Sequence, residues 1–122
     1  MEFVAEKVSH QLIDSLCDAL ERLRRVNPSL ADQAKRAAQS VSLNVGEGGQ
    51  RTGRDRAYRF RIAAGSAAEL RNALRIAIAW RELGEAELAP AFALLERQLR
   101  LLWGLTHPKD GSTARASRAP DR

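Results

Sequence analysis

Five arginines fall within eleven residues, Arg51, Arg54, Arg56, Arg59 and Arg61, directly after the glycine-rich string Gly46-Glu47-Gly48-Gly49. Lys35 and Arg36 lie upstream and could support them. A localised basic patch points to an anionic partner, nucleic acid first of all. The other reading of such a run is a solvated arginine-rich surface. Only Tyr58 and Phe60 accompany the run, so phosphate contact should dominate over base stacking, and binding should be sequence-tolerant and salt-sensitive. On a helix that starts near Thr52, positions 54, 58 and 61 share a face while 56 and 59 lie elsewhere. The arginines therefore make no single stripe, and several subunits would be needed to build a continuous cationic surface.

Charge along the chain is uneven. Residues 1–26 carry five acids and four bases, 27–62 three acids and seven bases, 63–107 five of each, and 108–122 two acids and four bases. The regional sums of −1, +4, 0 and +2 give the net +5, so the excess sits in the arginine region and the C-terminal tail.

Other chemistries find little to work with. A metal-holding helix bundle needs Glu-x-x-His pairs, and neither His10 nor His107 lies three residues after a glutamate. Cys17 has no neighbouring histidine or acid to activate it and reads as a small core residue beside an apolar seam. As the one cysteine it cannot close an internal disulfide, which fits a reducing compartment. The glycine string is no phosphate loop, since no strand precedes it and no Gly-Lys-Ser/Thr follows. It reads as the end of a helix, where glycine relieves backbone strain. Glu47 and Glu69 read as structural hydrogen-bonding groups rather than a catalytic pair. The expectation is a protein with no catalytic residue, no metal and no cofactor.

The elements that must position the arginines are helical. The chain is rich in Ala, Leu, Arg and Glu and poor in the residues strands favour. No apolar run approaches the roughly 18 residues of a membrane span, and no signal peptide opens the sequence, so a cytoplasmic protein is expected. From Phe3 to Val26 the residues Val4, Val8, Leu12, Leu16, Leu20 and Leu23 recur at helical steps. Asn27-Pro28 ends that helix and opens a second, to about Glu47, whose apolar stripe of Leu30, Ala34, Ala37, Val41 and Val45 is mostly small. Arg36, Ser40, Asn44 and Glu47 form a polar stripe beside it. Thr52 and Asp55 read as the capped start of a third helix running to about Leu83, with Gly84 as its C-cap. A fourth begins near Glu85 to Ala89, tolerates Pro90 in its first turn, and follows Leu88, Phe92, Leu95, Leu99 and Leu102 to about Thr106.

Residues 1–107 thus read as an up-down-up-down antiparallel four-helix bundle, all-α, and 108–122 as a disordered basic tail. Leu94, Leu101, Trp103, Leu105, Ile76, Ile78 and Trp80 exceed what one bundle core requires, which favours oligomerisation. Gly65 and Ser66 are expected at a tight helix crossing. A Glu69–Arg36 ion pair is expected farther along, with Asn44 and Glu47 bonding backbone N–H groups of the glycine turn and Ser40 level with Arg59–Ile62.

Two strings, Gln33-Ala-Lys-Arg36-Ala37 through Ser40-Val41, Asn44-Val45-Gly46-Glu47-Gly48, and Ala63-x-Gly65-Ser66-x-x-Glu69-Leu70, resemble the signature of the four-helix-bundle family of 23S ribosomal RNA intervening-sequence proteins. Gly46 stands where that family usually has alanine. The resemblance covers the second and third helices closely and the outer two by pattern. It implies a ring-shaped homo-oligomer, usually a pentamer, with no established catalysis. It also implies kinship to the accessory variability proteins of diversity-generating retroelements, which bind nucleic acid and partner a reverse transcriptase. A competing reading is a protein-interaction scaffold whose arginines meet acidic protein surface.

Overall fold

The computed structural model describes residues 3–107. It contains four helices, α1 (Val4–Val26), α2 (Pro28–Gly49), α3 (Gly53–Ala79) and α4 (Glu85–Thr106). Each packs on the next and α4 closes against α1, which makes an antiparallel four-helix bundle. The proposed tail, 108–122, lies outside the described residues.

In α1 the buried line Ala5, Val8, Leu12, Leu16, Ala19 and Leu23 follows the three- and four-residue steps of one helix face. Cys17, expected in the core, is exposed instead, its thiol reaching the Ile13 carbonyl at 3.5 Å. It follows the buried Leu16 by about 100° of helix rotation, enough to carry it out to the groove beside α2.

Asn27 turns α1 into α2. Its side-chain oxygen accepts from the Leu30 N–H at 3.2 Å, a helix N-cap, and its amide donates to Glu82 at 2.9 Å. One residue thereby ties the α1–α2 corner to the α3–α4 corner. Nearby, Arg24 pairs with Asp32 at 2.5 Å and Arg22 with Glu87.

The α3–α4 corner departs from the sequence expectation. Helix α3 stops at Ala79, not Leu83, because Arg81 adopts a left-handed conformation with φ 61°. The N–H groups of Glu82 and Leu83 then bond the Ala77 carbonyl at 2.9 and 3.3 Å, and Leu83 folds back into the core. Gly84 is the N-cap of α4 rather than the C-cap of α3, its N–H donating to Glu87 at 2.9 Å. Pro90 consequently falls in the second turn, not the first. Residues 86 and 90 are exposed there, so water can satisfy the carbonyl that Pro90 leaves free.

Helices α2 and α3 pack most extensively, and their buried faces are mostly small, with Ala34, Ala37 and Val41 on α2 and Ala63, Ala67 and Ala77 on α3. The Ser40 and Ser66 hydroxyls meet at 2.7 Å, which sets Ser40 level with Ser66 instead of Arg59–Ile62. Two residues on, Ser42 accepts from Ser9 of α1 at 3.1 Å, while Val41 between them is buried in the core. Ser40-Val41-Ser42 thus serves three neighbours in turn. Gly65 takes no part in the crossing: it is exposed, with no atom within 4 Å of where a Cβ would stand. Gly48 does, since a Cβ there would lie 2.6 Å from the ring of Phe60, which is fully buried. Its glycine is needed for room, not for backbone relief, and helix α2 runs on through it. The left-handed residue at this corner is Gly53, the first of α3, with φ 59°.

At the same end, buried Gln98 of α4 donates to the Ala5 carbonyl at 3.1 Å. Among the described residues, no helix is long and apolar enough to cross a membrane.

Candidate nucleic-acid interface

Three residues, Gln50 to Thr52, join α2 to α3, and the five arginines leave this joint in different directions. Arg51 lies in the joint and bridges two carboxylates, Glu47 at 2.6 Å and Asp55 at 2.7 Å. The Asp55 hydrogen bond, then that of Glu47, raises the Arg51 pKa above its usual value. Glu47 therefore holds a side chain and not the backbone N–H groups of the turn. Thr52 is the N-cap of α3, yet its side chain makes no capping bond.

Arg56 folds over the end of the bundle. Its Nη1 donates to the Gly48 carbonyl at 3.2 Å, and its guanidinium carbon lies 4.9 Å from the Phe60 ring centre. A cation bonded to a carbonyl of the last turn of α2 meets the negative end of that helix dipole. Arg59 faces the α2 flank, where Nη1 donates to the Asn44 side-chain oxygen at 3.4 Å. The Asn44 amide donates to the Ser40 carbonyl at 2.9 Å and hydroxyl at 3.2 Å. Ser66, Ser40, Asn44 and Arg59 consequently form one polar seam between α2 and α3. Asn44 belongs to that seam and does not fasten the glycine turn. The Arg59 Nε is buried without a partner among the described residues.

Arg54 and Arg61 are exposed and have no ion-pair or hydrogen-bond partner among the described residues. They are seven residues apart on the outward face of α3, with Tyr58, 54% exposed, between them. Lys35 and Arg36 are exposed too, but fourteen and thirteen residues before Gly49, about 20 Å up α2. Lys35 lines the α1–α2 groove. Both sit in the field of Asp32, whose carboxyl is held below its usual range chiefly by the Arg24 hydrogen bond. The seven cations are thus three separate groups.

The expected Glu69–Arg36 pair does not form. Both side chains are exposed, and neither has an ion-pair partner among the described residues. An exposed glutamate stays ionised in water without a cation, so nothing in its surroundings requires the pair. Residue 69 is three positions past Ser66, a net rotation of about 60°, and at that edge of the flank its side chain is already exposed.

Sequence spacing gave no sign of the contribution of α4. Arg97 and Arg100 are exposed there without partners among the described residues, and Trp103, 62% exposed, stacks on His107 with ring centres 3.4 Å apart. The only available signal was a tryptophan off the apolar seam. Among the described residues, no group of three or more His, Cys, Asp and Glu could hold a metal ion.

No curated protein matches the chain. A crystal structure from Bacteroides thetaiotaomicron, described as a protein with unknown function from the S23 ribosomal protein family, is similar with a TM-score of 0.78 at 18% identity, covering 85% of this chain and 99% of its own. At that identity the likeness speaks for the fold. The family model for 23S rRNA-intervening sequence protein matches residues 2–104, and the chain belongs to that family.

Proposed function

We propose that this protein is a non-enzymatic, oligomeric nucleic-acid-binding protein, with Arg54 and Arg61 as its central phosphate contacts. The observation that carries the reading is their contrast with Arg51, Arg56 and Arg59: these two guanidinium groups are exposed with their donors unspent on described residues. A guanidinium in water beside other unpaired cations gains by neutralising phosphates and releasing their counterions. The net charge of +5 adds long-range steering. Exposed Val26, Leu43 and Ile76 support self-assembly, with the pentameric ring implied by the sequence resemblance as the first form to test. A reverse transcriptase is the protein partner that the same resemblance implies.

Filter binding with single- and double-stranded DNA and RNA at low salt tests the reading. Affinity that falls steeply with salt is expected, and no affinity for any of the four would end it. Sedimentation of the same preparation reads the assembly state.

A second reading, a protein-interaction scaffold, draws on the groove of about 350 Å³ between α1 and α2, lined by Ile13, Leu16, Leu20 and Ala38. Partners recovered from cells after nuclease treatment would favour it, while partners lost with the nuclease favour nucleic acid.

A further inference from the structure

We propose that the nucleic acid is bound single-stranded along the outer seam between α3 and α4, with Trp103 as a base-stacking platform. This rests on the nucleic-acid reading above and adds a substrate class and a site to it.

Two contacts fix the register of α4 on α3. Arg71 donates to Glu96 at 3.2 Å, and the Arg75 guanidinium lies 4.7 Å from the centre of the Phe92 ring. The helices are antiparallel, so moving back along α3 and forward along α4 runs the same way. From the Arg71–Glu96 pair, Arg61 is ten residues back, about 15 Å, and Trp103 seven residues forward, about 10 Å. From the Arg75–Phe92 pair the corresponding distances are about 21 Å and 16 Å. Both routes place Trp103 within about 5 Å, along the bundle axis, of the level of Arg61. Trp103 also shares its side of α4 with Glu96, seven residues earlier, and Glu96 faces α3.

The surroundings suit an unpaired strand. Arg54 and Arg61 lie on one side of the seam and Arg97 and Arg100 on the other, all exposed and without partners among the described residues. Glu96, which faces α3, is neutralised by Arg71, and Glu69, one turn past Gly65 on α3, is the exposed acid left beside the seam. Between the cations α3 offers Ala64, Gly65 and Ala68, so nothing bulky keeps a backbone away. The Trp103 ring is covered on one face by His107, with an interplanar angle of 12°, while the residue remains 62% exposed. A pre-stacked indole with an open face fits an unstacked base, which duplex nucleic acid does not present. Tyr58 adds a second exposed ring on the α3 side. Trp103 joins the arginines only through the fold, from about forty residues further along the chain, so the sequence expectation of minor stacking missed it.

The test is a titration of the full chain with a short oligothymidine strand and with a duplex of matched length, following tryptophan fluorescence. The parent is expected to be quenched by the single strand and to bind it more tightly than the duplex. Trp103→Ala, which keeps Trp80, should lose the quenching and about tenfold or more of single-strand affinity, with duplex binding unchanged. Trp103→Phe should recover part of the loss, and a melting curve like the parent's shows that the exposed position tolerates both changes. Equal affinity for strand and duplex, indifferent to Trp103→Ala, would overturn the inference while leaving the nucleic-acid reading in place. A parent that binds neither would overturn both.

Discussion

Within one run of eleven residues, three arginines bond to neighbouring groups of the α2–α3 joint and two turn away from it. Arg51, Arg56 and Arg59 give their donors to Glu47, Asp55, the Gly48 carbonyl and Asn44. Arg54 and Arg61 give theirs to no described residue. The side chains are chemically identical, so the difference is one of helical phase. Positions 54 and 61 are two turns apart and share the outward face, whereas 56 and 59 are rotated towards the bundle end and the α2 flank. Charge density along a sequence is therefore a poor measure of the charge a ligand meets. More than half of this run holds the α2–α3 joint together, and the remainder is left for a partner.

Charge reversal at both outward positions, Arg54→Glu with Arg61→Glu, should have the largest effect. Nucleic-acid affinity at low salt should fall by about two orders of magnitude, since two phosphate contacts become repulsive. The thermal melt should stay close to the parent's, and a large drop there would place these residues with the inward group. The inward side depends on Gly48, whose carbonyl receives Arg56 and whose missing Cβ admits Phe60. Gly48→Ala should destabilise by about 1–3 kcal/mol in urea unfolding, because the buried ring has to shift. An unchanged midpoint would show that Phe60 can move freely. The smallest effect sharpens the contrast between glycines: Gly65→Ala, on the outward face, should stabilise by about 0.5–1 kcal/mol through helix propensity alone. Destabilisation at Gly65 would restore the tight crossing that its sequence neighbours imply.

Local periodicity made the bundle legible. The seam of Leu12, Leu16 and Leu23 and that of Leu88, Leu95 and Leu102 are each written at three- and four-residue steps, and the core follows them. The shared face of residues 54, 58 and 61 was legible for the same reason. Misreadings came where an outcome turned on one step of helix rotation or on contact between distant segments. Cys17 and Gly65 each lie one residue from a buried neighbour, Leu16 and Ser66, and that step carries them into solvent. Asn44 had a plausible local partner in the glycine turn, but it lies between Ser40 and Arg59 once α3 is docked. The stop of α3 depends on Arg81 taking a left-handed conformation that its residue type does not favour, so Gly84 drew the boundary in its place. The Trp103–His107 stack is a local contact four residues apart at the end of α4, but its place beside the arginine end is a product of the α3–α4 register, which local periodicity does not reveal.

The most direct test of the divided arginine run is the salt dependence of nucleic-acid binding for the parent, Arg61→Ala and Arg56→Ala. For Arg61→Ala the slope of log affinity against log salt should shrink by about 0.7 to 1, the loss of one phosphate contact. For Arg56→Ala the slope should match the parent's while the melting temperature falls, because that side chain is committed to Gly48 and Phe60. Equal slope losses in the two variants, or a loss in Arg56→Ala alone, would contradict the account.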